Sequence, residues 1–216
     1  MTDTGTLALS LMLIAVAAMA LCVADDVADR VLFSDSFDQW QPAWAAPRET
    51  ENFSAIYRDG SLVLRDRTDG IHYSHAMNAT NESLQFTDMI IEIDTAHVGG
   101  STGNIQVIEC RFLDGDNHYA FYITSGGMYG IYKYVRGVPT TLVDTTASSA
   151  IATAPGAWNR LRIECVGTSL AFSANGVSLA RVEDSSLQRG RVALAAIAYD
   201  GEYTEVAFDN LTITRP

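Results

Sequence analysis

Residues 169–182 read SLAFSANGVSLARV, two runs in which larger apolar residues alternate with small or polar ones, separated by an Asn-Gly pair. A period of two places every second side chain on the same face of a β-strand. Asn175-Gly176 is the dipeptide that a two-residue type I′ turn prefers, because both central residues of that turn take positive φ. The stretch therefore predicts a β-hairpin made of Ser169–Ala174 and Val177–Glu183.

The same period continues along the chain from Val31, with turn residues about every 8 to 12 positions. The other predicted strands are Phe53–Arg58, Ser61–Arg65, Ile71–Ala76, Phe86–His97, Asn104–Leu113, His118–Thr124, Met128–Val135, Thr140–Asp144, Trp158–Val166, Arg191–Tyr199 and Thr204–Thr214. Dipeptides such as Asp59-Gly60 and Gly126-Gly127 mark turns between them. Because there is hardly any helical pattern and no internal repeat, we expect one antiparallel β-sandwich domain over residues 25–216.

The composition excludes several classes of function. The 216 residues include 26 Asp and Glu against 14 Lys and Arg, a formal net charge of −12. Nucleic acid is therefore not an expected partner, because phosphate binding needs a basic surface, and docking on anionic lipid is disfavoured for the same reason. Three cysteines without a CxxC pair exclude a disulfide-dense scaffold and a cysteine-based zinc site.

Residues 7–24 form an uncharged apolar run, LALSLMLIAVAAMALCVA, that only Ser10 interrupts. As a helix it would span about 27 Å, slightly less than the hydrocarbon core of a membrane. Residues 1–24 are thus interpreted either as a cleaved signal peptide, with small residues before Asp25, or as a retained single-helix membrane anchor. Both interpretations place residues 25–216 outside the cytoplasm, secreted or anchored at the cell surface, and four Asn-x-Ser/Thr triplets permit that placement.

Alternation also assigns faces to the two cysteines of this body. Cys110 and Phe112 are expected on the inward face of one strand, opposite Arg111, and Cys165 on the inward face of another. In an oxidising compartment the two cysteines could form a disulfide, provided that their Cα atoms lie within about 7 Å. Buried free thiols are the alternative. Trp158, at the start of its strand, is expected in the core.

A family resemblance rests on segments that follow one another in order. They are FSDSF (33–37), FTDMIIEID (86–94), DNHYAFYI (116–123), GIYK (130–133), WNRLRI (158–163), NG (175–176), GRVAL (190–194) and FDNL (208–211). In this order and spacing they resemble the concanavalin-like, laminin-G-like jelly rolls of exported microbial proteins, a group that includes the domain described as 3-keto-disaccharide hydrolase-like. The resemblance covers Val31 to Pro216. It implies two curved antiparallel sheets, with FDNL in the last strand beside FSDSF in the first, and a concave face that holds carbohydrate in many relatives.

Glu92-Ile93-Asp94 lies where the resemblance implies catalytic carboxylates. Retaining glycosidases of this fold carry their acid and nucleophile on one strand as E-x-D-x-(x)-E, which places the carboxylates on one face. Here Asp94 is followed by Thr95, Ala96 and His97, so the second glutamate is missing. No catalytic residue is therefore assigned, and an acidic outer face of the strand is the simpler interpretation.

Polar and aromatic residues on neighbouring predicted strands form a candidate ligand-binding face. The residues are Glu92, Asp94, Glu109, Arg111, His118, Tyr122, Tyr129 and Lys133. Planar donors and acceptors suit the hydroxyl groups of a sugar, and aromatic rings suit its C–H surface. An ordinary solvated sheet face with cross-strand charge pairs would give the same pattern.

No motif requires a cofactor. Calcium is a candidate at Asp114–Asn117, where acidic oxygens are closely spaced, or at a loop formed by Asp35, Asp38 and Asp209. A zinc pair of His72 and His75 is disfavoured, because residues three apart on a strand face opposite ways.

The expected function is non-covalent binding of a glycan or another cell-surface polymer, without turnover. The first alternative is a sugar-cleaving hydrolase acting through Glu92 and Asp94. The second is a structural cell-surface or filament protein in which a retained N-terminal helix takes part. The sequence leaves the identity of the ligand and the oligomeric state open.

Overall fold

The structure is a computed structural model and describes residues 30–67, 76–79, 83–198 and 203–216. Every regular element in these ranges is a β-strand. The strands are β1 (Val31–Asp35), β2 (Arg48–Glu49), β3 (Phe53–Arg58), β4 (Ser61–Asp66), β5 (Ala76–Ala79), β6 (Met89–Gly100), β7 (Asn104–Asp114), β8 (Asn117–Thr124), β9 (Met128–Val135), β10 (Val138–Ala147), β11 (Trp158–Val166), β12 (Ser169–Ala174), β13 (Val177–Glu183), β14 (Arg191–Ala198) and β15 (Thr204–Thr214).

The strands form two antiparallel sheets. The nine-stranded sheet has the order β13-β12-β11-β6-β15-β4-β3-β2, and β1 also pairs with β15. The six-stranded sheet has the order β10-β9-β8-β7-β14-β5. The predicted antiparallel β-sandwich is therefore confirmed. Strands β6 and β7 are consecutive in the chain and yet belong to different sheets, so the connection after Gly100 crosses from one layer to the other.

The predicted hairpin around Asn175-Gly176 is present. Strands β12 and β13 pair from Ser169 opposite Glu183 to Ala174 opposite Val177. Asn175 and Gly176 have φ values of 51° and 80°, the positive values that a type I′ turn demands at both central positions.

The first and last strands also pair as the resemblance implies. Asp35 lies opposite Leu211 and Ser34 opposite Thr212, so FSDSF and FDNL are neighbours. The proline-containing segment 41–51 contributes the short edge strand β2 beside β3.

The interior between the sheets is apolar and is crossed by a disulfide. Its fully buried side chains include Ile91, Ile93, Ile108, Phe121, Leu161, Ile163 and Phe172. Cys110 on β7 and Cys165 on β11 are bonded, with their Cα atoms 6.9 Å apart. Of the two alternatives that the sequence leaves open, the disulfide is therefore the one present, and it joins the two sheets covalently.

A bulge in β7 reverses the predicted faces of its last residues. Arg111 has a φ of 50°, in the left-handed region, and the pairing of β7 with both neighbouring strands changes register nearby. Because a bulge inserts one extra residue, the side chains that follow turn to the other face. Arg111 therefore points toward the interior and Phe112 outward, and the prediction of the opposite arrangement is wrong.

Trp158 is not in the core. Its side chain is 45% exposed, whereas the next residue, Asn159, is 2% exposed. The inward positions of β11 thus begin at Asn159 and continue through Leu161, which places Trp158 on the outer side.

Some predictions concern residues outside the described ranges, namely the apolar segment 1–24 and the pair His72 and His75. In the ranges that are described, no helix is long and apolar enough to cross a membrane.

Candidate functional site

The outer face of the six-stranded sheet carries a second apolar cluster, separate from the interior. It consists of Val107, Ala120, Tyr122 and Ala195, with Ile105, Tyr132 and Ile197 packed against it. Side chains alternate along β7 and β8, so this cluster lies on the opposite side of the sheet from Ile108 and Phe121. We call this surface, formed by β9, β8, β7 and β14, the outer face.

Gly130 makes room for a tyrosine ring on this face. It lies opposite Tyr122 on the neighbouring strand, and a Cβ atom in its place would be 2.5 Å from the Tyr122 Oη. The ring of Tyr122 therefore lies over the β9 backbone, and its hydroxyl shares a hydrogen bond with the hydroxyl of Thr145 on β10. The ring centroids of Tyr122 and Tyr132 are 5.8 Å apart.

Glu109 is a buried carboxyl group at the centre of the outer face. It is 1% exposed, and its Oε2 atom has no hydrogen-bond partner among the residues that the structure describes. The residues opposite it on β14 and β8 are Ala193 and Ala120, whose side chains have no polar group that could form a hydrogen bond with it. Burial raises the pKa of Glu109 to about 8, so the carboxyl group is largely protonated at neutral pH.

His118 is the neighbour of Glu109. Its Nε2 lies 3.5 Å from the Glu109 Oε1, and its Nδ1 lies 3.2 Å from the carbonyl oxygen of Asp114. A carbonyl oxygen can only accept a hydrogen bond, so Nδ1 carries a proton and donates to Asp114, while Nε2 faces Glu109.

Aromatic rings hold this imidazole in place. Tyr134 stacks on His118 with centroids 4.9 Å apart, and the Phe112 ring is tilted against the imidazole with centroids 5.8 Å apart. The guanidinium of Arg191 lies 5.0 Å from the centroid of Phe112. Tyr132, Tyr134 and Arg191 are partly exposed, whereas Glu109 and His118 are buried beneath them.

The arrangement is suited to two kinds of chemistry. Tyrosine rings with a cationic side chain beside them offer stacking surfaces and hydrogen bonds to a polar, ring-shaped ligand. A protonated carboxyl group next to an imidazole can donate a proton, and an imidazole nitrogen without a proton can accept one. The proton on the carboxyl group depends on the burial of Glu109.

Glu92 and Asp94 lie on the outer side of the nine-stranded sheet, where both form ion pairs with arginines. Arg160 contacts both, with Nη2 3.3 Å from Glu92 and Nη1 3.3 Å from Asp94. Arg162 lies 3.1 Å from Glu92 and 3.0 Å from Glu164. This ladder of alternating charge across β6 and β11 agrees with the simpler interpretation of an acidic strand face.

Tyr129 and Lys133 point inward, because they alternate with Gly130 and Tyr132 along β9. The Tyr129 hydroxyl donates to the carbonyl oxygen of Leu179, 2.9 Å away. Lys133 pairs with Asp184, which also accepts a 2.6 Å hydrogen bond from Tyr119. Burial alone would raise the pKa of Asp184, but the hydrogen bonds from Lys133 and Tyr119 lower it.

Arg111 is 1% exposed and serves the backbone. Its guanidinium donates to the carbonyl oxygens of Thr87, Leu187 and Gly167 at 3.1, 2.9 and 2.9 Å, and it lies 3.5 Å from Asp88. It thus connects the segment before β6, the loop after β11 and the loop before β14.

The eight predicted ligand-binding residues therefore do not share one face, so the expectation of a single face is wrong. Their role in ligand binding stays a prediction. Glu109, His118 and Tyr122 lie on the outer face of the six-stranded sheet. Glu92 and Asp94 belong to the other sheet, and Arg111, Tyr129 and Lys133 face inward. The grouping treated β6 and β7 as partners in one sheet, although the chain changes layers between them.

Sequence reasoning missed Phe112, Tyr132, Tyr134 and Arg191 as parts of the outer face. The signal for two of them was available, since Tyr132 and Tyr134 follow Gly130 at intervals of two in β9. The glycine opposite Tyr122 marks the face on which a large ring needs space. Phe112 could not be placed without knowing that β7 bulges.

The two candidate calcium loops use their carboxylates locally. Asp114 accepts hydrogen bonds from the Asp116 backbone and the Asn117 amide, both at 2.9 Å. Asp35 accepts from the Phe37 backbone at 2.8 Å and from the Trp44 indole at 2.7 Å. In the part of the chain that the structure describes, no three His, Cys, Asp or Glu side chains converge as a metal site.

These features define a class of protein: an antiparallel jelly-roll sandwich with a carboxyl–imidazole pair beneath tyrosine rings on one sheet. The sequence profile of the 3-keto-alpha-glucoside-1,2-lyase-like domain matches residues 29–214. The chain belongs to this family, as the resemblance in the sequence indicates. No curated protein is significantly similar in sequence to the chain.

Solved structures share the fold at low sequence identity. The carbohydrate-binding module CBM66 from Bacillus subtilis is 16% identical, with a TM-score of 0.60, over 80% of this chain and 95% of that one. A β-1,3-1,4-glucanase (lichenase) from a mouse hindgut metagenome is 14% identical, with a TM-score of 0.60, over 85% and 98%. A galectin-like protein of unknown function from Bacillus subtilis is 12% identical, with a TM-score of 0.59, over 86% and 96%.

Proposed function

We propose that the protein binds carbohydrate on the outer face, with Tyr132 and Tyr134 against the sugar ring and Glu109 and His118 beneath it. The observation that carries the proposal is the neutral, partly unsatisfied Glu109 next to His118 among stacked rings. A hydrogen-bonding pair surrounded by aromatic surface is the combination that sugar hydroxyls and C–H faces require. The fold supports the proposal by analogy, since a carbohydrate-binding module and a glucanase are built on it.

The proposed place of action is outside the cytoplasm, secreted or anchored at the cell surface. The Cys110–Cys165 disulfide supports this, because disulfides persist in oxidising compartments. The ligand is then a glycan or a related surface polymer. A structural role, the remaining alternative, predicts instead self-association that disappears when residues 1–24 are removed.

A glycan array tests the binding proposal. The chain should be retained saturably on at least one glycan, and Tyr132→Ala should weaken retention by about tenfold, since tenfold corresponds to about 1.4 kcal/mol. Trp158→Ala is the matched control, because it removes an exposed ring from the opposite sheet. No retention on any glycan, or equal losses in the two variants, would contradict the proposal.

A second candidate is an elimination reaction on a 3-keto sugar, favoured by the pKa of about 8 at Glu109 and by the family. The ketone at carbon 3 acidifies the proton on carbon 2. His118 Nε2 would take that proton while the bond between carbon 1 and its oxygen breaks and a double bond forms between carbons 1 and 2. Glu109 would give its proton to the leaving oxygen, and transfer from His118 to Glu109 then restores both groups.

A p-nitrophenyl 3-keto-α-glucoside separates binding, elimination and hydrolysis. Elimination releases nitrophenol and leaves an unsaturated sugar that contains no oxygen from labelled water. Glu109→Gln and His118→Asn should each abolish that release, whereas Glu92→Gln should keep it. Release that depends on Glu92 and incorporates labelled oxygen would instead support the hydrolase alternative through Glu92 and Asp94. Retention without release would leave the protein as a binding module.

A further inference from the structure

A cavity of about 230 Å³ lies at one end of the sandwich, between the two sheets and away from the outer face. The ends of β6, β7 and β11 bound it, and the loop of residues 152–157 covers it. Drug-sized ligands occupy pockets of about 300 Å³ or more, so this cavity fits a smaller molecule, about one sugar ring in size.

The inward positions of three strands change from apolar to polar at this end. Along β6 they run from Ile93 to Thr95 and His97, and along β7 from Ile108 to Gln106. Strand β11 changes in the same way, from Leu161 to Asn159. Thr95 and Gln106 are buried, and burial of polar groups is unfavourable unless they find partners. Because all three strands change at the same end, we interpret these polar residues as the lining of the cavity and not as isolated polar residues in an apolar core.

Hydrogen bonds fix the loop over the cavity. The side-chain amide of Asn159 accepts from the Ala152 backbone at 2.8 Å and donates to the Ala152 carbonyl oxygen at 3.1 Å. The turn residue Asn175 donates to the same Asn159 oxygen at 2.8 Å and to the Ala150 carbonyl oxygen at 2.8 Å. The β12–β13 turn and the covering loop are thus held together through one buried asparagine.

Two polar groups that line the cavity keep hydrogen-bonding capacity. His97 lines the cavity, and its Nε2 atom, itself shielded from solvent, has no hydrogen-bond partner within the described ranges. Gln106 accepts from the Thr95 hydroxyl at 2.9 Å through its oxygen, and its amide N–H groups are left for another acceptor. Thr102 and Ser125 add hydroxyl groups to the same lining. Among the residues that the structure describes, the lining contains no Asp, Glu, Lys or Arg.

We propose that this cavity is a second binding site, which takes a neutral polyhydroxylated molecule the size of one hexose. Uncharged donors and acceptors suit hydroxyl groups, while a charged ligand would be desolvated without a counter-charge. The site is independent of the outer face. Water is the competing occupant, because a polar cavity of this size can hold several ordered molecules.

The ring signals of His97 in an NMR titration test the proposal. The chain has four histidines, and His97→Asn assigns the signal of interest. The probes are D-glucose, D-galactose and D-mannose, each raised to about 10 mM, since a millimolar dissociation constant corresponds to about 4 kcal/mol. At least one hexose should shift the His97 signal saturably, and D-glucuronate should not. The His118 signal reports on the outer face in the same spectra, so failure at one site is distinguishable from failure at the other.

Ala157→Phe is the decisive variant, because it fills the cavity from the covering loop without changing the core. It should abolish the saturable shift, while Val138→Phe on the exposed edge strand β10 should leave it intact. Gln106→Leu, whose folding is checked by its melting curve, should also abolish it. No shift with any of the three hexoses, an equal shift with glucuronate, or an unchanged shift in Ala157→Phe would each overturn the proposal and leave water as the occupant.

Discussion

Glu109 shows how the surroundings of one side chain determine its chemistry. Its neighbours across β8 and β14 are alanines, and the Nε2 atom of the His118 imidazole lies 3.5 Å from its Oε1 atom. A carboxylate in such a place loses its hydration and gains no cation in return, so the protonated form is favoured. Because the carboxyl group keeps its proton, Glu109 can donate a hydrogen bond at neutral pH.

Glu109→Gln should change how stability depends on pH. The pKa of Glu109 in the folded protein, about 8, lies above its value in the unfolded chain. At pH values between these two pKa values, the folded state therefore binds a proton that the unfolded state has lost. The contribution is present in full below the unfolded pKa, and the free energy of unfolding falls as pH rises toward 8, by up to about 1.4 kcal/mol for each pH unit. Urea denaturation at about pH 5, 7 and 9 should show this slope in the natural chain and a flatter one in the variant. Identical slopes would mean that Glu109 is ionised in the folded protein.

Gly130→Ala should destabilise the outer face through Tyr122. The added methyl group would lie 2.5 Å from the tyrosine oxygen and 2.6 Å from its ring, so the ring must move and lose its bond to Thr145. Overpacking of this kind costs about 1–3 kcal/mol. In a Tyr122→Ala background the same substitution should cost much less, and a double-mutant cycle of unfolding free energies measures the difference. Additive costs would contradict the contact.

For single strands, the sequence predicts where each strand lies in the chain. It does not predict to which of the two sheets the strand belongs. Alternation locates the strands, and Asn175-Gly176 defines a hairpin, because both depend on residues close together in the chain. Whether β7 pairs with β6 depends on contacts with distant strands, which local sequence does not encode. The bulge at Arg111 is equally hidden, since arginine has no preference for the positive φ that it adopts there. Glu109, His118 and Tyr122 of the candidate site were therefore predictable, whereas the extent of the outer face around them was not.

Arg111→Met should be among the most destabilising single substitutions. It removes donors to three backbone carbonyl oxygens, and unsatisfied buried acceptors together with a lost guanidinium cost about 3 kcal/mol or more. Arg181→Met is the matched control, because its side chain is 61% exposed and its ion pair with Glu164 contributes less than about 1 kcal/mol. Chemical denaturation compares the two, and similar losses would show that Arg111 does not hold the loops.

The apolar interior and one disulfide are two of the connections that hold the two sheets together. Apolar side chains from both sheets pack together across the interior, and the Cys110–Cys165 disulfide links the sheets covalently at one point. The two cysteines are 55 residues apart, so in the unfolded chain the bond closes a long loop and lowers its conformational entropy. Stability of the sandwich is thus coupled to the redox state of its surroundings.

Reduction should lower the stability of the entire sandwich. Closing a loop of this length stabilises a domain by about 2–4 kcal/mol, so the melting temperature should fall by several degrees when a thiol reductant is added. A variant with both Cys110→Ala and Cys165→Ala should melt at the lower temperature and be insensitive to the reductant. A natural chain that melts at the same temperature with and without reductant would contradict this.

The ion pair of Lys133 has a practical consequence. Lys133 is the only lysine in the chain, and its ammonium group is engaged by Asp184 and Ser186 with only 16% of the side chain exposed. Acylating reagents therefore meet a single side-chain amine, and they react with it only while this pair is open. The rate of Lys133 acetylation, followed by mass spectrometry, therefore reports how often the Lys133–Asp184 ion pair opens.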